Sequence, residues 1–152
     1  SEAVVFLRPL GLRLYFTENI IVTPHMKEMS RLTGIQIEEM KENPVRTARE
    51  FADQYGVVCV LKDAATVIAG RDGKTFVNGS GTPAMAKGGS GDVLTGVIAG
   101  LVALGLEESD AAALGVYVHG LAGEAAEQHF GVHGVLAGEI ADCLPEVYRD
   151  GI

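Results

Sequence analysis

Cysteine, clustered positive charge and long apolar runs are all scarce in this chain. Its two cysteines, Cys59 and Cys143, lie far apart and form no CxxC pair, so neither a redox nor a metal role is expected for them. The 12 Lys and Arg residues are outnumbered by 20 Asp and Glu, giving a formal net charge of -8. No basic cluster interrupts that balance, which argues against a nucleic-acid partner or an anionic membrane surface. A small anionic ligand is still allowed, because backbone N–H groups hold phosphate without net positive charge. The longest apolar run, Val93 to Leu106, is too short to span a bilayer and contains three glycines. No basic leader precedes an apolar core near Ser1, so the expected location is the cytoplasm.

What is present suggests an ordered globular domain. The chain has 152 residues, 47% of them hydrophobic and 21% charged, enough for one sizeable core. Val4 to Phe16 is apolar but broken by Pro9 and Gly11, and reads either as a strand or as a connecting segment. Ile20 to Val22 reads as a short strand ending at Pro24. "HMKEMSRLTG" follows as a helix with Met26, Met29 and Leu32 on one face and Gly34 as its stop. "NPVRTAREFADQYG" carries helix punctuation, with Asn43 as N-cap, Pro44 at the first position and Gly56 after the end. Val57 to Lys62 is a continuous apolar strand of the kind buried on both faces, with Cys59 as a small core residue. "TVIAG" and "KTFVN" form a hairpin turning near Asp72-Gly73. Three helices are expected after that: Val93 to Leu104, a second capped by Ser109 and running to about His129, and Val135 to Tyr148, ended or kinked by Pro145. The alternation of helices and strands in the first half implies a layered α/β sheet. The sequence shows no internal repeat, low-complexity tract or linker.

"AMAKGGSGDVLTGVIAG" (Ala84 to Gly100) is the most informative stretch. Glycines crowd just before a helix expected to begin near Asp92. The first turn of a helix has N–H groups without internal partners and a positive dipole end, and glycines let an anion approach them closely. A structural alternative is that Ser90 or Asp92 simply caps the helix. A Walker A loop is excluded, because Lys87 is preceded by Ala86 and followed by Gly88. A Rossmann fingerprint is excluded, because Leu94 stands where its third glycine belongs. A carboxylate beside an anion hole suits phosphoryl transfer, where it takes the proton of an attacking hydroxyl.

These residues resemble a known family. "SGTPAMAKGGSGDVLTGVIAGLVALGL" is similar to the glycine loop and following helix of ADP/ATP-dependent NAD(P)H-hydrate dehydratases, which have a ribokinase-like fold. "VTPHMKE", "VLKDAATVIAG" and "GVYVHGLAGEAA" resemble three more segments of that family in the same order. The resemblance implies a ribokinase-like layered α/β sandwich. It also implies a repair reaction, in which the hydroxyl of hydrated NADH or NADPH is phosphorylated by ADP or ATP with Mg2+, and loss of phosphate restores the cofactor. It makes Asp92 the catalytic acid facing that hydroxyl and Gly89, Ser90 and Gly91 the anion hole. Lys62, Asp63, Ala64, Ala65, Thr66 and Gly91 become the nucleotide site, and His25, with Asp92, a contact to the hydrated cofactor.

The chain departs from the family pattern at Asp63, where glycine is usual, and at Lys27, which replaces the glycine of a His-x-Gly-Glu segment. Residues 1–19 resemble nothing in the family's opening βα units. The expectation is therefore an uncertain segment at 1–19 followed, at 20–152, by the C-terminal part of a dehydratase domain. Such a piece would be a homo-oligomer, with 1–19 covering an open sheet edge and little activity alone. Two other functions stay open: a vitamin-precursor kinase of the same fold, and a non-catalytic nucleotide-binding remnant.

Other polar residues have plainer readings. His25 and Glu28 are spaced to bind a metal, but no third ligand lies nearby, so no metal is expected and a cap or ligand contact is. His119 reads as a core histidine with a satisfied ring, with catalysis as the alternative. His129 and His133 read as loop residues on either side of Gly131. Lys62 is either a snorkelling lysine or a ligand contact. The Ala/Gly-rich helix 110–126 is suited to close packing, including against a partner subunit.

Overall fold

The computed structural model describes residues 19–149; the Val4–Phe16 segment and, apart from Asn19, the expected cover at 1–19 lie outside the described residues. A four-stranded sheet of order β1-β2-β3-β4 forms the middle layer. It comprises β1 (Ile21–Val22), β2 (Val58–Leu61), β3 (Thr66–Ala69) and β4 (Thr75–Asn78). β1 and β2 run parallel, whereas β3 and β4 are added antiparallel as a hairpin. Three helices connect β1 to β2: α1 (Met26–Thr33), α2 (Ile37–Glu42) and α3 (Pro44–Tyr55). After β4 come a 3-10 turn (Pro83–Met85), α4 (Ser90–Ala103), α5 (Glu108–Gly134) and α6 (Ala137–Arg149).

The period-two geometry of β2 explains the layers. Val57, Cys59 and Leu61 face one side, where they pack with Met29, Met40, Ala48 and Phe51 from α1–α3. Val58 and Val60 face the other, against Leu94 and Ile98 of α4 and Ala112 and Val116 of α5. All four β2 residues are fully buried, as the unbroken apolar run predicts. Burial pushes the Cys59 thiol up to about 12, so it is an inert core residue at neutral pH. α6 packs outside this sandwich, with Ile140 and Cys143 against Ala122 and Ala126 of α5.

Local punctuation works as expected in the first half. The Asn43 side chain accepts from the Arg46 N–H at 3.0 Å, Pro44 opens α3, and Gly56 closes it with φ 64°. Gly34 ends α1 with φ 79°. The hairpin turns through Gly73, and the Asp72 carboxylate accepts from the Lys74 N–H.

Several expectations need correction. α2 was not foreseen; it is one short stretch anchored by the fully buried Met40 and has no side-chain cap. α4 starts at Ser90, ahead of Asp92 and Val93, with Gly89 as its N-cap. Ser109 is not the cap of α5, because it lies one residue inside the helix behind Glu107 and Glu108, with its side chain against Gly70. α5 continues to Gly134 across a non-helical Gly131 (φ 71°), so His129 is helical and not a loop residue, and so is His133 beyond the break. Pro145 sits inside α6 without ending it, since Leu144 and Val147 keep that turn packed on the core.

The Ala/Gly-rich face of α5 packs within the chain. A Cβ on Gly120 would lie 2.1 Å from Ser80 Oγ and 2.8 Å from the Ser80 carbonyl carbon. Ser80 Oγ donates to the Tyr117 carbonyl, and the Gly81 N–H donates to Glu124, so this contact holds the loop after β4 on α5. Gly120→Ala is therefore expected to destabilise. Overpacking by about 1–3 kcal/mol outweighs the roughly 1 kcal/mol gain in helix propensity. Gly100→Ala in α4, where a Cβ would meet nothing within 4 Å, is expected to raise the melting temperature. Thermal melts that ranked the two variants the other way would refute this packing account.

Candidate active site

The glycine loop meets the sheet at the carboxyl ends of its parallel strands, where open α/β sheets bind ligands. β1 runs out through Thr23 and Pro24 to His25, and β2 through Leu61 to Lys62. The Lys62 N–H donates to the Pro24 carbonyl at 2.8 Å, and His25 and Lys62 pair in parallel register. The N-terminus of α4 arrives at the same place. Lys62 Nζ lies 3.1 Å from where a β-carbon on Gly91 would sit.

The start of α4 has the form of an anion hole. Gly89 holds a left-handed conformation (φ 90°), and the helix has no side-chain cap. The Ser90 N–H bonds Lys87 at 3.3 Å, and the Asp92 and Val93 N–H groups bond the Gly89 carbonyl. Among the described residues, the N–H groups of Gly89 and Gly91 have no backbone acceptor. The capping alternative for Ser90 and Asp92 thus fails. Ser90 Oγ is turned inward, and Asp92 is exposed in the first turn.

Electrostatics tie the cluster together. Burial pushes the Lys62 ammonium below its ordinary pKa, while the negative charges of Glu28 and Asp92 act to raise it. A partly desolvated cation thus stands beside the loop. His25 caps α1: Nδ1 accepts from the Glu28 N–H at 3.1 Å, and the Glu28 carboxylate accepts from the His25 N–H at 2.8 Å. At the exposed rim, His25 Nε2 lies 3.5 Å from the other Glu28 carboxylate oxygen. The His25–Glu28 pair forms a capping box. Asp63, Ala64 and Ala65 form an exposed turn beside Lys62, and Thr66 opens β3.

His119 is the partner that the sequence did not assign. Buried on α5, its Nε2 lies 3.4 Å from Ser90 Oγ. Its ring is satisfied, as expected of a core histidine, but by the glycine loop itself; four-residue spacing from Gly115 and Gly123 on one helix face was the available signal. Burial, with Lys62 nearby, holds its pKa below the ordinary histidine value, against a hydrogen bond to Ser90 that raises it. A lowered folded-state value means that the unfolded chain binds more protons, so stability falls as pH drops below about 6.5 towards the folded value. His119→Gln is expected to flatten this acid limb in melts between about pH 7 and 5. A limb unchanged in the variant would show that other groups cause it.

The described helices include none long and apolar enough to cross a membrane. The sequence pattern of the NAD(P)H-hydrate dehydratase family matches residues 7–146. The chain belongs to that family. It is 45% identical over 131 residues to the bifunctional NAD(P)H-hydrate repair enzyme of Moorella thermoacetica, covering 86% of this chain and 25% of the relative. It is 39% identical over 130 residues to the ADP-dependent (S)-NAD(P)H-hydrate dehydratase of Bacillus subtilis, covering 86% of this chain and 47% of the relative. The crystal structure of a Bacillus subtilis ADP/ATP-dependent NAD(P)H-hydrate dehydratase, co-crystallised with ATP/Mg2+ and soaked with CoA, superimposes with a TM-score of 0.82 over 86% of this chain and 48% of that one. The ribokinase-like layered α/β fold is thereby shown. The chain spans between about a quarter and half of the length of these relatives.

Proposed function

We propose that this dehydratase-family chain supplies the nucleotide and acid side of an ADP- or ATP-dependent repair of hydrated NADH and NADPH. The observation that carries the reading is the convergence of an uncapped helix N-terminus, Lys62 and Asp92 at the carboxyl ends of β1 and β2. The hydrate's hydroxyl oxygen forms a bond to the terminal phosphorus of the nucleotide as the bond to the nucleotide's bridging oxygen breaks. Asp92 accepts the hydroxyl proton. Lys62 and the Gly89 and Gly91 N–H groups face the negative charge of the transferring phosphoryl group, with Ser90 completing the loop. Phosphate then leaves with the carbon–oxygen electron pair, and loss of a proton from the adjacent carbon restores the dihydropyridine ring. Asp63 to Thr66 line the nucleotide side, and the exposed His25 is a contact to the hydrated cofactor.

Among the described residues no three metal-ligating side chains converge at this loop. Mg2+ accompanying the nucleotide would be held largely by the phosphates and water, with Asp92 as the adjacent carboxylate. Self-association belongs to the same reading, because the outer strand β4 exposes Phe76 and Val77. A single-chain mass by light scattering would refute that part.

The test is a chimera in which residues 20–149 replace the matching part of the Bacillus subtilis dehydratase. ADP- or ATP-dependent restoration of NADH from its hydrate is the expected result. A folded chimera that phosphorylated thiamin-precursor alcohols instead would favour the kinase, and one that bound nucleotide without turnover would favour a non-catalytic remnant.

A further inference from the structure

A second cluster of chemically competent side chains lies away from the loop, where α5 and α6 pack. His129 Nε2 is 3.1 Å from Glu146 Oε2, and the ligand atoms of His129, Cys143 and Glu146 all lie within 4.8 Å of one another. His129 comes from the last regular turn of α5 before the break at Gly131. Cys143 and Glu146, three residues apart, share one face of α6. From these positions we infer that His129, Cys143 and Glu146 form a binding site for a borderline-soft divalent cation of the zinc class, linking α5 to α6.

The chemistry of the three groups favours that ion. An imidazole, a thiol and a carboxylate are the donors of three-ligand zinc sites, which keep the fourth position for water. Hard cations such as Mg2+ and Ca2+ prefer all-oxygen surroundings, which a thiol does not provide. Ligands on one tetrahedral zinc stand about 3.5 Å apart, so the observed spacing needs only side-chain adjustment. The His129–Glu146 contact alone would be an exposed ion pair of small worth. The thiol makes it a three-sided site, closed below by the buried Cys143 and open above through the exposed His129 and the half-buried Glu146. Glu139 and Asp142 add negative charge around the sulfur, which draws a cation in. On binding, the Cys143 S–H proton passes to solvent, a sulfur–metal bond forms, and imidazole Nε2 gives its lone pair to the metal. The ion then ties α5 to α6 across the weak point at Gly131.

Cobalt(II), which reports zinc sites in its absorption spectrum, is the direct probe. Titration of the untagged, reduced chain is expected to bind one equivalent, with visible bands of a tetrahedral site and a near-ultraviolet thiolate-to-metal band. Cys143→Ser should remove the thiolate band, whereas Cys59→Ser should keep it. The surface variants His129→Gln and Glu146→Gln, whose fold is checked by circular dichroism, should each weaken binding by more than about tenfold, the least that losing even an outer partner costs. Zinc should raise the melting temperature of the parent, magnesium should not, and His129→Gln should abolish the rise. No thiolate band, a band that survives Cys143→Ser, or unchanged affinity in both surface variants would overturn the site.

Discussion

Replacing Asp92 with Asn is expected to leave the fold intact and to lower turnover by roughly two to four orders of magnitude, the usual worth of a positioned general base. The fold should persist because Asp92 does no structural work that Asn cannot do. The N-cap of α4 is Gly89, no side chain caps the helix, and Asp92 is exposed. The substitution removes only a charge in the first turn, worth about 0.3–1 kcal/mol against the helix dipole. Chemistry is different, because Asn cannot accept the hydroxyl proton. In the chimera with the Bacillus subtilis relative, the variant should keep its melting temperature within a few degrees and bind nucleotide at least as well, since a negative charge beside the phosphates is gone. Single-turnover assays separate the phosphoryl step from binding. Near-parental turnover would reduce Asp92 to a bystander at the mouth of the loop.

The parts of this molecule that could be read from sequence are those in which the information is local. Asn43, Pro44 and Gly56 bracket α3 because capping geometry depends only on neighbours along the chain. Val57 to Lys62 reads as a doubly covered strand because its apolar residues fall on both faces. The glycine loop and Asp92 were visible as a pattern, and Gly89 takes a left-handed turn there. What escaped depends on distant contacts. Ser109 looks like a cap, but its hydroxyl packs on Gly70, far away in sequence. α2 exists because Met40 fills the core beneath it, not because of any end signal. The fate of the His119 ring was open, since a buried histidine is satisfied by whatever faces it, and here that is Ser90. Gly131 makes His129 read as a loop residue in the sequence. That glycine does break the helix, but only after His129 has been placed opposite α6. The His25–Glu28 pair shows the converse: a spacing suited to a metal serves a capping box.

Replacing Lys62 with Met is expected to separate stability from binding. If Lys62 is a snorkelling lysine at a strand end, its removal should cost packing and leave nucleotide affinity alone. The structure favours the opposite. Its ammonium is partly buried and 3.1 Å from the β-carbon position of Gly91, and burial lowers its pKa. A lowered lysine value means that holding the charge costs the folded state free energy at every pH below the folded value, relieved only as pH rises through it towards about 10.5. Met keeps much of the alkyl stem and abolishes that cost. The melting temperature without nucleotide should therefore stay level or rise at neutral pH. A phosphate held by a charge-assisted bond from Lys62 would lose about 1.5–3 kcal/mol, so ADP and ATP should bind roughly ten- to hundredfold more weakly. Calorimetry and thermal melts on the same two proteins decide the matter. A variant that melts lower yet binds nucleotide as tightly as the parent would make Lys62 a structural residue and remove the cation from the proposed phosphate site.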